Sequence, residues 1–295
     1  MKAGKLGKGK DLWLSEPLDE FWIGSTARVF NGRLDGKNYA VKILRPETKV
    51  YDIQQFKTEV EILEKINNRP WITKIHQMGF LKLSHNLSFP PDPDYPKGSF
   101  DRFRSPFSAD KLLGDIISYS LDEANTWLKK AQQKVDEGWL PYLVFRRRDC
   151  LPTPSRPDPK EVFLFQMLTV NNAYSKDKLV FIIKNLISVC QIYSDIHDLK
   201  IVYNDPKLAH YGWSKIDNCT FIIDWNFSKY MSSPKSESQN KIDLQKLGKH
   251  VLSPILDSFN NSNSIGQPFL DEFREICNKS HSGYYSSSDL LQKEI

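Results

Sequence analysis

The apolar period changes along this chain, and that change limits what it can fold into. Between Phe21 and Leu44 apolar residues come in short extended runs, Phe21–Phe30 and Arg33–Leu44. Asn31-Gly32 sets the runs apart, and a second turn signal, Asp35-Gly36, lies inside the latter. Asn-Gly and Asp-Gly close tight hairpins because their central residues tolerate positive φ. From Lys176 onward the period is helical: Leu179, Ile182, Ile183, Leu186, Ile187, Cys190, Tyr193 and Ile196 fall three or four apart. A chain that starts as an antiparallel meander and continues as helices is expected to be α+β and two-lobed.

The remaining segments fit that order. Ile53, Phe56, Val60, Leu63 and Ile66 mark one face of a helix that ends at Asn67-Asn68-Arg69-Pro70. Ile72–Leu83 reads as extended. Pro90, Pro91, Pro93, Pro96 and Pro106 rule out regular helix or central strand over 84–108. A helix is predicted over Ala109–Glu137 and a strand over Leu140–Arg147. Pro152, Pro154, Pro157 and Pro159 punctuate a second loop. Glu161–Leu168 is almost wholly apolar and reads as a strand buried on both faces. Ile201–Tyr203 and Phe221–Ile223 read as short strands, Ile242–Leu256 as a buried helix, and the chain after Pro268 as one or two weak helices. The expected division is a flexible basic arm over 1–19, a sheet-rich first lobe over 20–168 with an insertion at about 84–160, and a helical second lobe over 169–295.

Composition narrows the class. The 295 residues carry 40% hydrophobic and 12% aromatic side chains, enough for a sizeable core. The net charge of +5 is mild and mixed in sign, so it does not point to nucleic acid. Cys150, Cys190, Cys219 and Cys277 have no zinc-like spacing and read as reduced thiols. The first ten residues are Lys- and Gly-rich and lack the apolar stretch of a signal peptide. With no apolar run of about 18 residues, no membrane span is expected. A cytoplasmic protein is the expectation.

The chemistry concentrates in two places. Tyr39-Ala40-Val41-Lys42 ends a strand in a lysine. Tyr203-Asn204-Asp205-Pro206-Lys207 and Ile222-Ile223-Asp224-Trp225-Asn226 each bring an aspartate after a short apolar strand. Singly, these are a strand-end lysine in water and two turn aspartates. Jointly, over 20–83 and 161–260, the chain resembles the protein-kinase-like superfamily.

That resemblance implies an α+β fold with a small antiparallel-sheet N-lobe holding one helix, a mainly helical C-lobe and an inserted helical segment. It implies ATP as cofactor with Mg2+, or Mn2+, beside it. Lys42 would hold the α- and β-phosphates. Glu59 is its expected partner, because Phe56-Lys57-Thr58-Glu59-Val60-Glu61-Ile62-Leu63 matches the family's αC pattern. Glu61 and Glu64 are the alternatives, and they lie off the apolar stripe. Asp205 would orient the acceptor hydroxyl and take its proton, and Lys207 would neutralise the transferring phosphoryl group. Asp224 would chelate the metal. Asp243, in Lys241-Ile242-Asp243-Leu244, matches the aspartate that steadies the catalytic loop. Gly24, Ser25 and Thr26 would approach phosphate. Gln166 and Leu168 would border a hinge that bonds adenine, with Leu140–Arg147 as the rival fifth strand.

Several positions depart from the family pattern. Trp22 stands at the first glycine of the glycine-rich loop, and only Gly24 remains of its three glycines. Asn204 replaces the arginine that would pair with an activation-segment phosphate. His210 stands where a metal-binding Asn is expected. Mg2+ prefers oxygen, so His210 favours Mn2+, leaves a single metal at Asp224, or simply fills space. No Ala-Pro-Glu follows Ser232–Asn240. The expectation is therefore an atypical ATP-dependent phosphotransferase acting on a Ser/Thr hydroxyl or on itself. A pseudokinase binding module and a small-molecule kinase are the alternatives. The acceptor would be a protein or a small molecule. Arg146-Arg147-Arg148 reads as a solvated strand end, and the helix over 109–137 is the segment offered to a protein partner.

Overall fold

Two units make up the chain: Met1–Asn67 with Thr73–Arg148, and Asn68–Ile72 with Asp149–Ile295. The structure, a computed structural model, describes residues 3–6, 10–17, 27–34, 36–44, 50–82, 115–148, 160–168, 174–231 and 236–295. The class is α+β, as the change of period requires.

In the first unit the order is β1 (Ala3–Leu6), β2 (Lys10–Pro17), β3 (Ala27–Leu34), β4 (Lys37–Leu44), α1 (Val50–Lys65), β5 (Ile75–Lys82), β6 (Ile116–Tyr119), α2 (Ala124–Asp136) and β7 (Trp139–Arg146). The strands form one antiparallel sheet in the order β1-β2-β3-β4-β7-β5-β6. The residues expected as a flexible arm thus include two strands of this sheet, β1 and β2. The hairpin between β3 and β4 closes between Leu34 and Lys37, at the turn signal that includes Gly36, whose φ is +76°. Asn31-Gly32, the other turn signal, lies mid-ladder opposite Ala40 and Tyr39. A turn there would separate Phe30 from Leu34, which share a buried cluster with Val41, Ile43, Tyr142 and Val144. Burial of that cluster selects between two turns that local chemistry leaves equal.

Two expectations fail in this unit. The predicted helix over 109–137 is a strand and a shorter helix: β6 pairs with β5, a Ser120–Glu123 capping box follows, and α2 starts at Ala124. Ile116-Ile117-Ser118-Tyr119 is β-branched and aromatic, and pairing with β5 outweighs its helical spacing. Residues 109–114 lie outside the described ones. The apolar face of α2, which carries Ala124, Trp127 and Ala131, is buried. Trp127 stacks on Phe80 at 5.4 Å and donates to the Gly79 carbonyl at 3.1 Å. The second failure concerns the fifth strand. β7 lies between β4 and β5, so Leu140–Arg147 is the strand of the main sheet and the supposed insertion contains a central strand.

The second unit contains β8 (Glu161–Phe163), α3 (Leu164–Leu168), α4 (Lys176–Asp198), β9 (Ile201–Val202), β10 (Tyr211–Ser214), β11 (Cys219–Ile222), β12 (Lys229–Tyr230), α5 (Ser236–Leu247), α6 (Ser253–Asn260), α7 (Gln267–Ser282) and α8 (Ser288–Glu294). A π-helical turn, Gly248–Leu252, joins α5 to α6. β11, β10 and β8 form an antiparallel sheet, and β9 pairs with β12. Glu161–Leu168 is therefore a three-residue strand leading into a helix. An unbroken apolar run has no period to separate the two. Trp71 joins this unit: its carbonyl accepts from Ile222 N at 3.0 Å and its indole donates to Asp195 at 3.1 Å.

Ser175 Oγ caps α4 by accepting Lys178 N at 3.2 Å. By length and composition α4 is the one described helix apolar enough to cross a membrane. Its Ile182, Leu186, Val189, Tyr193 and Ile196 are buried within the unit. α7 is longer than the weak tail helix expected, because Leu270, Phe273, Ile276 and Cys277 give it a buried stripe.

Candidate functional site

Lys42 sits in β4 between Val41 and Ile43. Alternation along the strand turns it away from their cluster and toward α1. On α1, Glu59 falls three residues after Phe56 and four before Leu63, on the buried stripe. Lys42 Nζ donates to Glu59 Oε2 at 2.8 Å, with the two residues 7% and 1% exposed. The ammonium also lies 5.6 Å from the Phe56 ring centroid. Glu61 and Glu64, the alternatives, are half-buried. A buried pair of this kind holds a lysine in one place.

The aspartates belong to the second unit. After β9 the chain enters a loop tied down by α5. The buried Asp243 carboxylate accepts Tyr203 N at 2.8 Å, Asn204 N at 2.6 Å and His197 Nε2 at 3.1 Å. A carboxylate only accepts here, so His197 carries its hydrogen on Nε2. Lys246, one turn on from Asp243, donates to the Asn204 carbonyl at 3.1 Å and to Asn204 Oδ1. Asn204 has φ +68° and Asp224 has φ +63°, the left-handed region that Asn and Asp tolerate best among residues with a Cβ. The loop that carries Asp205 is thus clamped on the residue before it.

Asp205, His210 and Asp224 converge, each offering a ligand atom within 4.8 Å of the others. A 3-10 turn, Leu208–His210, delivers the histidine, which is buried. Its Nδ1 lies 3.0 Å from the Asp205 carbonyl and 2.7 Å from Tyr203 Oη, and Nε2 lies 3.6 Å from Asp224 Oδ2. Tyr203 Oη donates to the Ile223 carbonyl at 2.5 Å. Burial pushes the His210 pKa down, against the pull of Asp224 and Asp205 upward. Lys207 Nζ bonds Asp205 Oδ2 at 2.7 Å from a largely exposed position. The donor set of two carboxylates and one imidazole fits a divalent cation that accepts nitrogen.

Two expected adenine contacts are elsewhere. Gln166 Oε1 accepts Phe163 N at 2.8 Å at the start of α3, and the Leu168 carbonyl faces Tyr174 Oη at 3.4 Å. Both belong to the second unit and neither follows a strand of the seven-stranded sheet. Gly24, Ser25, Thr26 and Trp22 lie outside the described residues. The roles of His197, Lys246 and the Tyr203 hydroxyl are not evident in the sequence. The available signal is the spacing of Asp243 and Lys246, which sets both on one face of α5. No protein-family model matches the sequence, and no curated protein matches it.

Proposed function

We propose that this chain is an atypical, protein-kinase-like phosphotransferase that moves the γ-phosphoryl group of ATP to a Ser/Thr hydroxyl, its own included. The observation that carries the reading is the buried Lys42–Glu59 pair at 2.8 Å. Charge buried at this depth costs several kcal/mol per ion to desolvate, on the order given for ion pairs, so structural packing alone is a poor reason to keep it. Lys42 would hold the α- and β-phosphates, and Glu59 would keep its ammonium in place. Adenine would meet the backbone after β7, at Arg147 and Arg148, in place of Gln166 and Leu168.

In the transfer, the acceptor oxygen bonds to the γ-phosphorus as the bond to the bridging oxygen breaks. ADP leaves with that electron pair, and the hydroxyl proton passes to the Asp205 carboxylate. A divalent cation at Asp224 would neutralise charge on the phosphates. Lys207 has an exposed stem and would swing from Asp205 to a phosphoryl oxygen. The test is transfer of radiolabelled phosphate from ATP, with Mg2+ and with Mn2+. Asp205→Asn should lower it by about a hundredfold or more, as loss of a general base does. Unchanged activity in that variant overturns the role of Asp205.

A pseudokinase is the second reading, favoured by an imidazole where a metal-binding oxygen is expected, at His210. It predicts a thermal shift with ATP, abolished in Lys42→Met, and no transfer with either metal.

A further inference from the structure

We infer that Lys246, Lys249 and His250, on the flank of α5 and the π-helical turn beside the Asp205 loop, bind an acidic peptide segment, so that the acceptor Ser or Thr has Asp or Glu close to it in sequence. The inference rests on the reading of Asp205 as the base for the acceptor hydroxyl given above, and it adds the chemistry of the acceptor.

Lys246 fixes where the flank lies. Its ammonium bonds the Asn204 carbonyl at 3.1 Å and Asn204 Oδ1, one residue before Asp205. His250 comes four residues later and keeps to the same side of the helix, with Lys249 next to it. His250 is close enough to the loop to sense its charges. Burial and the Lys249 ammonium lower its pKa, Asp205 raises it, and Lys207 and Lys246 lower it again. The turn itself is unusual: Ser253 N–H reaches back five residues to the Gly248 carbonyl, the π form that is rare in helices and frequent at functional sites. α7 holds this turn in place. A Cβ on Gly248 would meet Ser280 Oγ at 2.3 Å, and Ser280 Oγ donates to the Leu244 carbonyl at 2.9 Å. Gly248, Val251 and Leu252 are buried, which leaves Lys249 and His250 exposed to solvent.

The flank carries charge that its neighbours do not cancel. Among the described residues neither Lys246 nor Lys249 forms an ion pair with a carboxylate, and the oxygens that Lys246 meets are the neutral ones of Asn204. Two such ammoniums attract a carboxylate and repel a cationic acceptor. The flank is also short. Four residues of helix rise about 6 Å, which about two residues of extended chain span. That length suits one or two acidic side chains of a peptide lying along it. A nucleic acid draws its affinity from a longer run of phosphate contacts over a larger basic surface. At the same loop Phe227, 37% exposed, offers an apolar side chain, and its carbonyl accepts Asn204 Nδ2 at 3.2 Å.

The experiment follows the fluorescence anisotropy of three labelled peptides with the full chain, without nucleotide: a serine flanked by Glu, the same serine flanked by Gln, and the same flanked by Lys. The Glu peptide should bind about tenfold more tightly than the Gln peptide, and the Lys peptide more weakly than either. The differences should shrink between about 0.1 M and about 1 M salt, as the Debye length falls from about 10 Å to about 3 Å. Lys249→Glu turns one exposed attraction into a repulsion, so it should weaken the Glu peptide by about five- to tenfold. It should also strengthen the Lys peptide, a gain that a misfolded chain would not give. Equal affinity for the Glu and Gln peptides, an unaltered preference in Lys249→Glu, or tighter binding of an oligouridylate of equal charge overturns the inference. With ATP added, the three peptides should rank in the same order as acceptors. Binding of the Glu peptide without transfer would keep the peptide site and remove the reading of Asp205 as a base, so the two failures are told apart.

Discussion

Asp243 Oδ1 accepts the main-chain N–H of Asn204 at 2.6 Å, and this contact ties α5 to the loop bearing Asp205. The other oxygen takes Tyr203 N and His197 Nε2. Asp243→Asn keeps one acceptor oxygen and turns the other into a donor. At least one buried donor then loses its partner, at a cost of about 2–3 kcal/mol for hydrogen bonds to a charged group. Denaturant unfolding should show a lower midpoint with an unchanged slope.

The Asn204 backbone is the second test. At φ +68° a residue with a Cβ pays about 1–2 kcal/mol, less for Asn and nothing for Gly. Asn204→Gly and Asn204→Ala both remove the side-chain contact with Lys246. The alanine variant should nonetheless be the less stable by about 1 kcal/mol, because the glycine carries no left-handed penalty. Equal midpoints in urea would show that the loop relaxes out of this conformation.

Removing one partner of the buried pair should cost more than removing both. Lys42→Met leaves the Glu59 carboxylate buried without its ammonium, and the expected loss is about 3–5 kcal/mol. Lys42→Met with Glu59→Leu should recover most of that stability while ATP binding stays lost. Urea unfolding of the four members of the cycle checks it.

Gly79 is required by space. A Cβ there would lie 2.0 Å from the Ile117 carbonyl and 2.7 Å from the Tyr142 ring. Backbone on β6 cannot yield without breaking its pairing with β5. Gly79→Ala should therefore destabilise the first unit by about 1–3 kcal/mol, the range for overpacking. Circular dichroism during thermal unfolding would register it.

Where the sequence was legible, local spacing was enough. The stripe of α1 singles out Glu59, which shares the face of Phe56 and Leu63, and leaves Glu61 and Glu64 at its margin. The helical period after Lys176 marks α4. The apolar strand ahead of Asp224 is visible as β11. Where reading failed, two structures satisfied one local pattern. Ile116-Ile117-Ser118-Tyr119 fits a helix face or an edge strand, and only β5 decides. Glu161–Leu168 has no period at all, so the choice between strand and helix waits for β10. Asn31-Gly32 and Asp35-Gly36 are equal turns until the Phe30–Val144 cluster is buried.

The candidate site divides in the same way. Local pattern alone gives which charges the chain carries and the face each occupies on its own element: Lys42 on β4, Glu59 on α1, and the aspartates just after short strands. Packing then brings Lys42 to Glu59, sets Asp243 and Lys246 on Asn204, and places His210 Nδ1 beside Tyr203 Oη and the Asp205 carbonyl. The reason is physical. Periodicity records which side of an element is buried, whereas a hydrogen bond's direction depends on atoms that meet only after distant segments pack.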